Sequence, residues 1–189
     1  MSLLNTSERY GSFTKLFHWL IVMLFAWQYM SGNIMTGMQR GELVIGLSQN
    51  DYYNWHKSIG LVALAIAVFR LANRYFGQLP NWAPTLTTGE QKFIHRAEQV
   101  LYAAMFVMPV TGDIYVMAGG FGVLMFGEWK LYNPIGKNPD IAFWGKWIHI
   151  ISGWILAAAV LSHILIVLRH QLVMQDGLLW RMLPSRKKE

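Results

Sequence analysis

The chain has 189 residues, of which 54% are hydrophobic and only 14% are charged. Because a soluble domain carries about 25% charged residues, this composition argues against a soluble protein and favours an integral membrane protein. The chain contains no cysteine. This excludes disulfide bonds, covalent haem attachment through Cys-x-x-Cys-His and thiolate-bound iron–sulfur clusters.

Long apolar stretches recur along the chain and predict an all-α fold, a membrane four-helix bundle formed by one domain over residues 1–189. Residues 16–39 and 147–168 contain no Asp, Glu, Lys or Arg. Two further stretches have shorter uncharged centres, with charges only near their ends, where long side chains can reach the interface. The first stretch is too long for a cleaved signal peptide and has no small-x-small cleavage pattern. The predicted helices lie at about 13–32, 54–76, 90–118 and 146–169.

The basic residues divide unevenly between the two sides of such a bundle. Eleven of the 16 Lys and Arg residues lie on the side that holds both termini and the 70–96 loop, and five lie on the other. The positive-inside bias therefore predicts that both termini are cytoplasmic. The pI of 9.7 then reflects orientation and contact with lipid headgroups, and it does not indicate nucleic-acid binding.

The connecting segments carry local signals. Thr87-Thr88-Gly89-Glu90 matches a capping box and predicts a helix that runs along the inner surface before it crosses. Pro109 lies within the third predicted helix, where it would kink the axis. The outer segments 33–53 and 119–146 are predicted as loops, the second of them folded onto the membrane surface.

Four histidines lie at membrane depth, and their depths match in pairs. His149 and His163 are fourteen residues apart on one predicted helix, so they share a face and are separated by roughly 21 Å along its axis. His18 lies at the inner depth of His163, and His56 lies at the outer depth of His149. Each pair can supply two axial ligands to one haem iron. The alternative is four separate histidines that hydrogen-bond within the bundle.

Residues on the same helix faces as the histidines would leave room for two haems. Gly32 follows His18 by fourteen residues, and Arg70 follows His56 by fourteen residues. Gly32 would leave space for a macrocycle, and Arg70 would pair with a propionate of the inner haem. Gly60 and Gly153 lie four residues after His56 and His149. Ordinary helix packing is the alternative for the glycines, and an inner-edge anchor is the alternative for Arg70.

His95 and His170 lie nearer the predicted cytoplasmic side, next to Arg96 and Arg169. A basic neighbourhood and an imidazole that can relay protons suit a quinone site, because quinone reduction takes up two protons with two electrons. Solvated interfacial side chains are the alternative. We rank His170 first, since it follows His163 by seven residues on nearly the same face.

Taken together, these residues resemble the bacterial cytochrome b561 family (bacterial and nickel-hydrogenase type), and the resemblance covers nearly the whole chain. The family consists of four-helix dihaem proteins of the bacterial inner membrane. It implies that His18, His56, His149 and His163 bind two non-covalent b haems. Its members often carry paired histidines where this chain has Arg169 and His170. The matching stretches are Arg9-Tyr10-Gly11, Phe17-His18-Trp19, Trp55 to Gly60 with Arg70, His95 with Tyr102, Trp147-Ile148-His149 with His163, and Arg169 to Pro184.

The resemblance implies electron transfer between a periplasmic redox partner and ubiquinone or another membrane quinone. Bis-histidine ligation would leave no open iron site, so no catalytic residue is assigned. Two alternatives remain open. One is a quinone-linked oxidoreductase of the superoxide oxidase type, and the other is a cytochrome b anchor subunit for a hydrogenase or formate dehydrogenase. The sequence does not predict an oligomeric state.

Overall fold

In the computed structural model residues 2–183 are described, and they contain four long α-helices. The expectation of a mostly helical protein is thereby confirmed. Pro184 of the tail motif and the terminal basic residues after it lie outside the described residues. The helices are α1 (Ser12–Gly37), α2 (Gln49–Phe76), α3 (Thr88–Ala118) and α4 (Pro139–Leu168).

Two helices begin earlier than the hydropathy pattern indicated, because their caps are polar. Asp51 accepts hydrogen bonds from the backbone N–H and hydroxyl of Ser48, at 2.9 and 2.7 Å, so α2 begins directly after Ser48 and not near residue 54. Asn138 accepts from the N–H groups of Asp140 and Ile141, both at 3.1 Å. With Pro139 as its first residue, α4 begins seven residues before the predicted position, as an Asn cap followed by proline favours.

Within the described residues, three helical segments are long and apolar enough to cross a membrane: Gln49–Phe76, Thr88–Ala118 and Pro139–Met174. Four crossings were expected from the sequence. α1 has 26 residues, long enough for a crossing, but its composition does not place it among these segments. The fourth crossing is therefore not supported by length and composition alone.

Short hairpins replace parts of the predicted outer loops. β1 (Leu43–Val44) pairs with β2 (Leu47–Ser48), and β3 (Leu124–Met125) pairs with β4 (Trp129–Lys130), both antiparallel. The first hairpin turns through Ile45 and Gly46, whose φ angles of 52° and 76° match the two left-handed positions of a type I′ turn.

The C-terminal end of α4 changes its winding. Residues Arg169–Met174 form a π-helical turn, which ends at Gln175 with a left-handed φ of 50°. Gly177 follows at φ 76° and begins a short 3₁₀ helix, Leu178–Arg181. Helical winding thus continues past His170 and ends after Met174.

The described chain packs as two compact units, the first built from three separate segments and the second from two. The first packing unit comprises residues 2–20, 68–104 and 154–183. In it Lys15 and Trp19 of α1 donate to the carbonyls of Leu183 and Met182, at 2.7 and 2.9 Å. The second packing unit comprises residues 21–67 and 105–153. Its core includes Tyr52, which is 2% exposed and stacks on Trp27.

Candidate haem sites

The four membrane-depth histidines lie in two pairs, one in each packing unit. In the first unit the ring centroids of His18 and His163 are 6.3 Å apart, with the ring planes at 60°. In the second unit the centroids of His56 and His149 are also 6.3 Å apart, with the planes at 78°. The structure therefore brings together the same partners that the depth argument selected.

The ring spacing fits two imidazoles on opposite sides of one metal ion. An imidazole nitrogen binds a metal such as zinc at about 2.0–2.1 Å, so two rings on one ion have centroids about 6 Å apart. Within residues 2–183, no group of three or more His, Cys, Asp or Glu side chains is arranged so that it could hold a metal ion. Paired histidines without further protein ligands suit a haem iron, whose remaining ligands come from the macrocycle.

Both histidines of the second unit present a nitrogen lone pair for ligation. His149 Nδ1 lies 2.8 Å from the carbonyl oxygen of Met108. A carbonyl only accepts, so Nδ1 carries the proton and Nε2 keeps its lone pair. His56 Nδ1 lies 2.9 Å from Ser31 Oγ. The Ser31 hydroxyl donates to the carbonyl of Gln28 at 3.3 Å, so its oxygen accepts from His56 Nδ1.

The first unit supports its histidine differently. Arg70 Nη2 lies 3.2 Å from His18 Nδ1. A guanidinium only donates, so Nδ1 is the acceptor and the neutral ring carries its proton on Nε2. Iron ligation through Nε2 therefore requires Arg70 to release Nδ1. The same guanidinium lies over the ring of Tyr102, 5.8 Å from its centroid.

Glycines bring the helices close to two of the rings in the second unit. A Cβ at Gly112 would lie 2.9 Å from both Cε1 and Nδ1 of His149, closer than real Cβ atoms pack. A Cβ at Gly32 would lie 3.5 Å from His56 Cε1. At Gly60 and Gly153 the nearest contacts would be Gln28 at 3.5 Å and Met108 at 3.7 Å. These last two glycines thus approach helix side chains and not the histidines.

A cavity of about 470 Å³ opens in the first packing unit, between α2 and α3. His95 lines it, as does an ion pair between Arg74 and Glu98 with an N–O distance of 2.5 Å. Tyr102 lies on its wall, and Leu71, Tyr75, Leu79 and Gln99 complete the lining. Leucine and tyrosine side chains thus line the cavity together with titratable groups from both α2 and α3.

His170 lies in a buried cluster of charged groups. It is 0% exposed, and its Nδ1 lies 2.6 Å from Asp176 Oδ2. Its Nε2 lies 3.4 Å from Glu90 Oε1, which also accepts from Arg169. Burial alone would raise the pKa of Asp176, but hydrogen bonds from Thr85 and His170 outweigh it and hold that pKa below its usual range. The cluster connects the π-helical turn to the start of α3.

The predicted capping box forms at that start. The Thr87 hydroxyl accepts from the Glu90 N–H at 3.3 Å, and Glu90 Oε2 accepts from the Thr87 N–H at 2.9 Å. Glu90 therefore caps α3 with one carboxylate oxygen and contacts Arg169 with the other.

Three partners of the histidines were not identified from the sequence: Ser31, Met108 and Gly112. Ser31 directly precedes Gly32, so a small polar residue beside a glycine was an available signal. Gly112 lies four residues after Met108 and therefore on the same face of α3, which lets the His149 ring lie over the Met108 carbonyl. The Met108 side chain gave no signal, because the backbone carbonyl of this residue contacts His149.

The sequence model of the prokaryotic cytochrome b561 family matches residues 9–185. The chain belongs to this family. Membership implies electron transport, binding of haem b and membrane-spanning helices, in a helical bundle. It accounts for paired histidines at membrane depth in a chain without cysteine.

Two curated relatives resemble the chain over most of its length. Cytochrome b561 homolog 2 of Escherichia coli K12 is 26% identical over 195 residues, which cover 100% of this chain and 98% of the relative. A protein of Yersinia pestis named probable superoxide oxidase CybB is 23% identical over 178 residues, which cover 90% of this chain and 93% of the relative. Both matches therefore extend over at least nine-tenths of each chain.

Proposed function

We propose that this cytochrome b561 carries electrons across the bacterial inner membrane, through two haem b groups, between a periplasmic redox partner and a membrane quinone. The supporting observation is the presence of two histidine pairs with the same centroid separation of 6.3 Å. His18 and His163 would hold the inner haem, and His56 and His149 the outer haem. In this proposal all four helices cross the membrane, and both termini are cytoplasmic.

When bound, haem b supplies a one-electron iron couple. Each haem iron would be held by two histidines of the chain, so neither site would be built to bind or activate oxygen. His149 and His56 are oriented by acceptors at Nδ1, which fixes the tautomer that ligates through Nε2. Arg70 would pair with a propionate of the inner haem once it leaves His18.

The cavity between α2 and α3 is our proposed quinone pocket. Its volume of about 470 Å³ falls in the range of about 300–1,000 Å³ that is typical of small-molecule sites. His95 and Glu98 can supply the protons that quinone reduction consumes, and the apolar lining suits the ring. His170 remains a second candidate. Its ring is enclosed by Asp176 and Glu90, so it would act through proton exchange within that cluster.

Superoxide oxidation with quinone as acceptor is the second candidate function. It is favoured by the resemblance to the Yersinia pestis protein named probable superoxide oxidase. Lys130, Lys137 and Lys146 lie on the predicted periplasmic side and would attract an anion. The acidic residues of that side balance its basic residues, however, which favours the carrier over the oxidase. The third candidate function is that of a membrane anchor subunit that passes electrons for a separate enzyme.

Haem analysis and rapid kinetics of the purified protein would test these proposals. We expect two acid-acetone-extractable b haems per chain, and haem oxidation on addition of oxidised quinone to the reduced protein. A ratio of one haem per chain would contradict the two-site proposal. Stopped-flow mixing with superoxide separates the candidates, since rapid haem reduction requires the oxidase and its absence favours the carrier.

His95→Ala tests the quinone pocket. We expect wild-type haem content and spectra with slower electron exchange with quinone. His170→Ala serves as the comparison, because its ring lies in the charged cluster and not on the cavity wall. If only His170→Ala slowed the exchange, the pocket would lie at the cluster and not between α2 and α3.

A further inference from the structure

We propose that Arg70 raises the reduction potential of the haem held by His18 and His163 above that of the haem held by His56 and His149. Electrons would then run downhill from the second pair to the first, toward the quinone. This inference rests on the proposed binding of two haems. It depends on a difference between the two sites in the groups that face the histidine rings.

The second pair is supported by neutral oxygen atoms. Ser31 Oγ and the Met108 carbonyl lie 2.9 and 2.8 Å from the Nδ1 atoms of His56 and His149. An N–H that donates to such an acceptor makes the opposite ring nitrogen a more basic ligand. A more basic ligand stabilises the oxidised iron over the reduced iron, so these contacts lower the reduction potential.

The first pair faces a positive charge instead. The Arg70 guanidinium lies 3.2 Å from His18 Nδ1, and arginine keeps its charge under all ordinary conditions. A neighbouring cation disfavours the oxidised iron, which carries one more positive charge than the reduced iron. The effect is stronger inside a protein than in water. It would persist once the guanidinium leaves the ring for a propionate, because its positive charge would still lie beside the haem.

Nearby charges do not cancel this difference. Arg74, one turn further along α2, is paired with Glu98 at 2.5 Å, whereas Arg70 forms no ion pair within the described residues. In the second unit the Lys57 ammonium donates to the Gly122 carbonyl at 3.1 Å. Asp113 lies there too, with its Oδ1 buried and without a hydrogen-bond partner among the described residues. These two residues have opposite charges and oppose each other.

A spectroscopic redox titration of the haem-loaded protein tests the proposal. The two components are assigned with His163→Ala and His149→Ala, each of which removes one haem. We expect His163→Ala to remove the component of higher potential. If it removed the component of lower potential while the wild type held two haems, this inference would be overturned and the proposed function would stand. A wild type with fewer than two haems would overturn both.

Substitution of Arg70 tests the residue itself. Arg70→Gln should shift the midpoint of the His18–His163 haem downward and leave the other midpoint in place. Arg70→Lys should restore it, because it keeps the charge. Arg96→Gln is the matched control, since it removes an exposed cation from α3 of the same unit and should shift neither midpoint. An unchanged midpoint in a fully loaded Arg70→Gln protein would refute the role of Arg70. If Arg70→Gln loses the haem, the proposal is decided by whether His163→Ala removes the component of higher potential.

Discussion

The two histidine pairs share a centroid separation of 6.3 Å but differ in what contacts their rings. His56 and His149 donate to neutral oxygens on α1 and α3. His18 accepts from a guanidinium on α2. Ring spacing is therefore a property of how the helices pack, whereas the tautomer and electronic character of each ligand depend on one further contact. Two sites of equal ring spacing can thus differ in chemistry.

Among the expected effects, removal of one histidine ligand should be the largest, because it should empty one of the two sites. We expect His18→Ala and His163→Ala to abolish one spectral component, and His56→Ala and His149→Ala to abolish the other, which halves the ratio of haem to protein. Pyridine haemochrome assay and difference spectra measure this. His95→Ala should keep both components. Loss of the same component in His18→Ala and His56→Ala would show that the pairs are assigned wrongly.

A methyl group at Gly112 should damage only the second site. Its Cβ would lie 2.9 Å from the His149 ring, and overpacking of this kind costs about 1–3 kcal/mol. We expect Gly112→Ala to lower the occupancy of the His56–His149 haem and to leave the other haem bound. Gly153→Ala is the control, because its Cβ would make an ordinary 3.7 Å contact with Met108. Equal losses in both variants would point to general helix packing.

Removal of the Ser31 hydroxyl should weaken the second site without emptying it. Ser31→Ala deprives His56 Nδ1 of its acceptor, and loss of such a partner typically costs about 10–100-fold in metal affinity. We expect weaker haem retention and a higher midpoint for this haem, measured by transfer to an apo-acceptor protein and by redox titration. Ser162→Ala, whose hydroxyl donates to the Ala159 carbonyl, is the matched control. If the midpoint of the His56–His149 haem did not move in Ser31→Ala, the hydroxyl would orient the His56 ring without changing its basicity as a ligand.

The smallest effect is expected at the charged cluster, away from both pairs. The pKa of Asp176 is held below its ordinary 3.8, so its contacts stabilise the fold fully above that pH and lose their contribution as the pH falls through the lower, folded-state pKa. We expect Asp176→Asn to speed hydrogen exchange in residues 169–176 at neutral pH while haem content stays unchanged. A wild-type exchange rate in this variant would show that the aspartate does not hold the turn.

The sequence was informative about the histidines because membrane depth and helical spacing are both visible in it. His149 and His163 share a face by spacing, and the depths of His18 and His56 left one partner for each. Their further contacts were not predictable. A backbone carbonyl such as that of Met108 has no side-chain signature, and Gly112 lies on a helix without a membrane-depth histidine.

Some parts of the fold could not be predicted from the sequence for similar reasons. The start of α4 is set by Asn138 and Pro139, a polar cap that a hydropathy pattern excludes from the helix. The turn of the first hairpin places Ile45 at a φ of 52°, where asparagine or glycine would be expected. No turn signal marked this position. In the π-helical turn after Leu168, His170 contacts Asp176 and also Glu90, and Glu90 lies at the start of a different helix, which the local sequence cannot reveal.

The two acceptors of the second site differ in how they can change during evolution. Ser31 acts through its side chain, so most substitutions there would remove the acceptor. Met108 acts through its carbonyl, which every amino acid possesses, so position 108 is free to vary wherever α3 keeps its course and Gly112 stays small. Related chains can therefore retain the support of His149 without any identifiable residue at position 108.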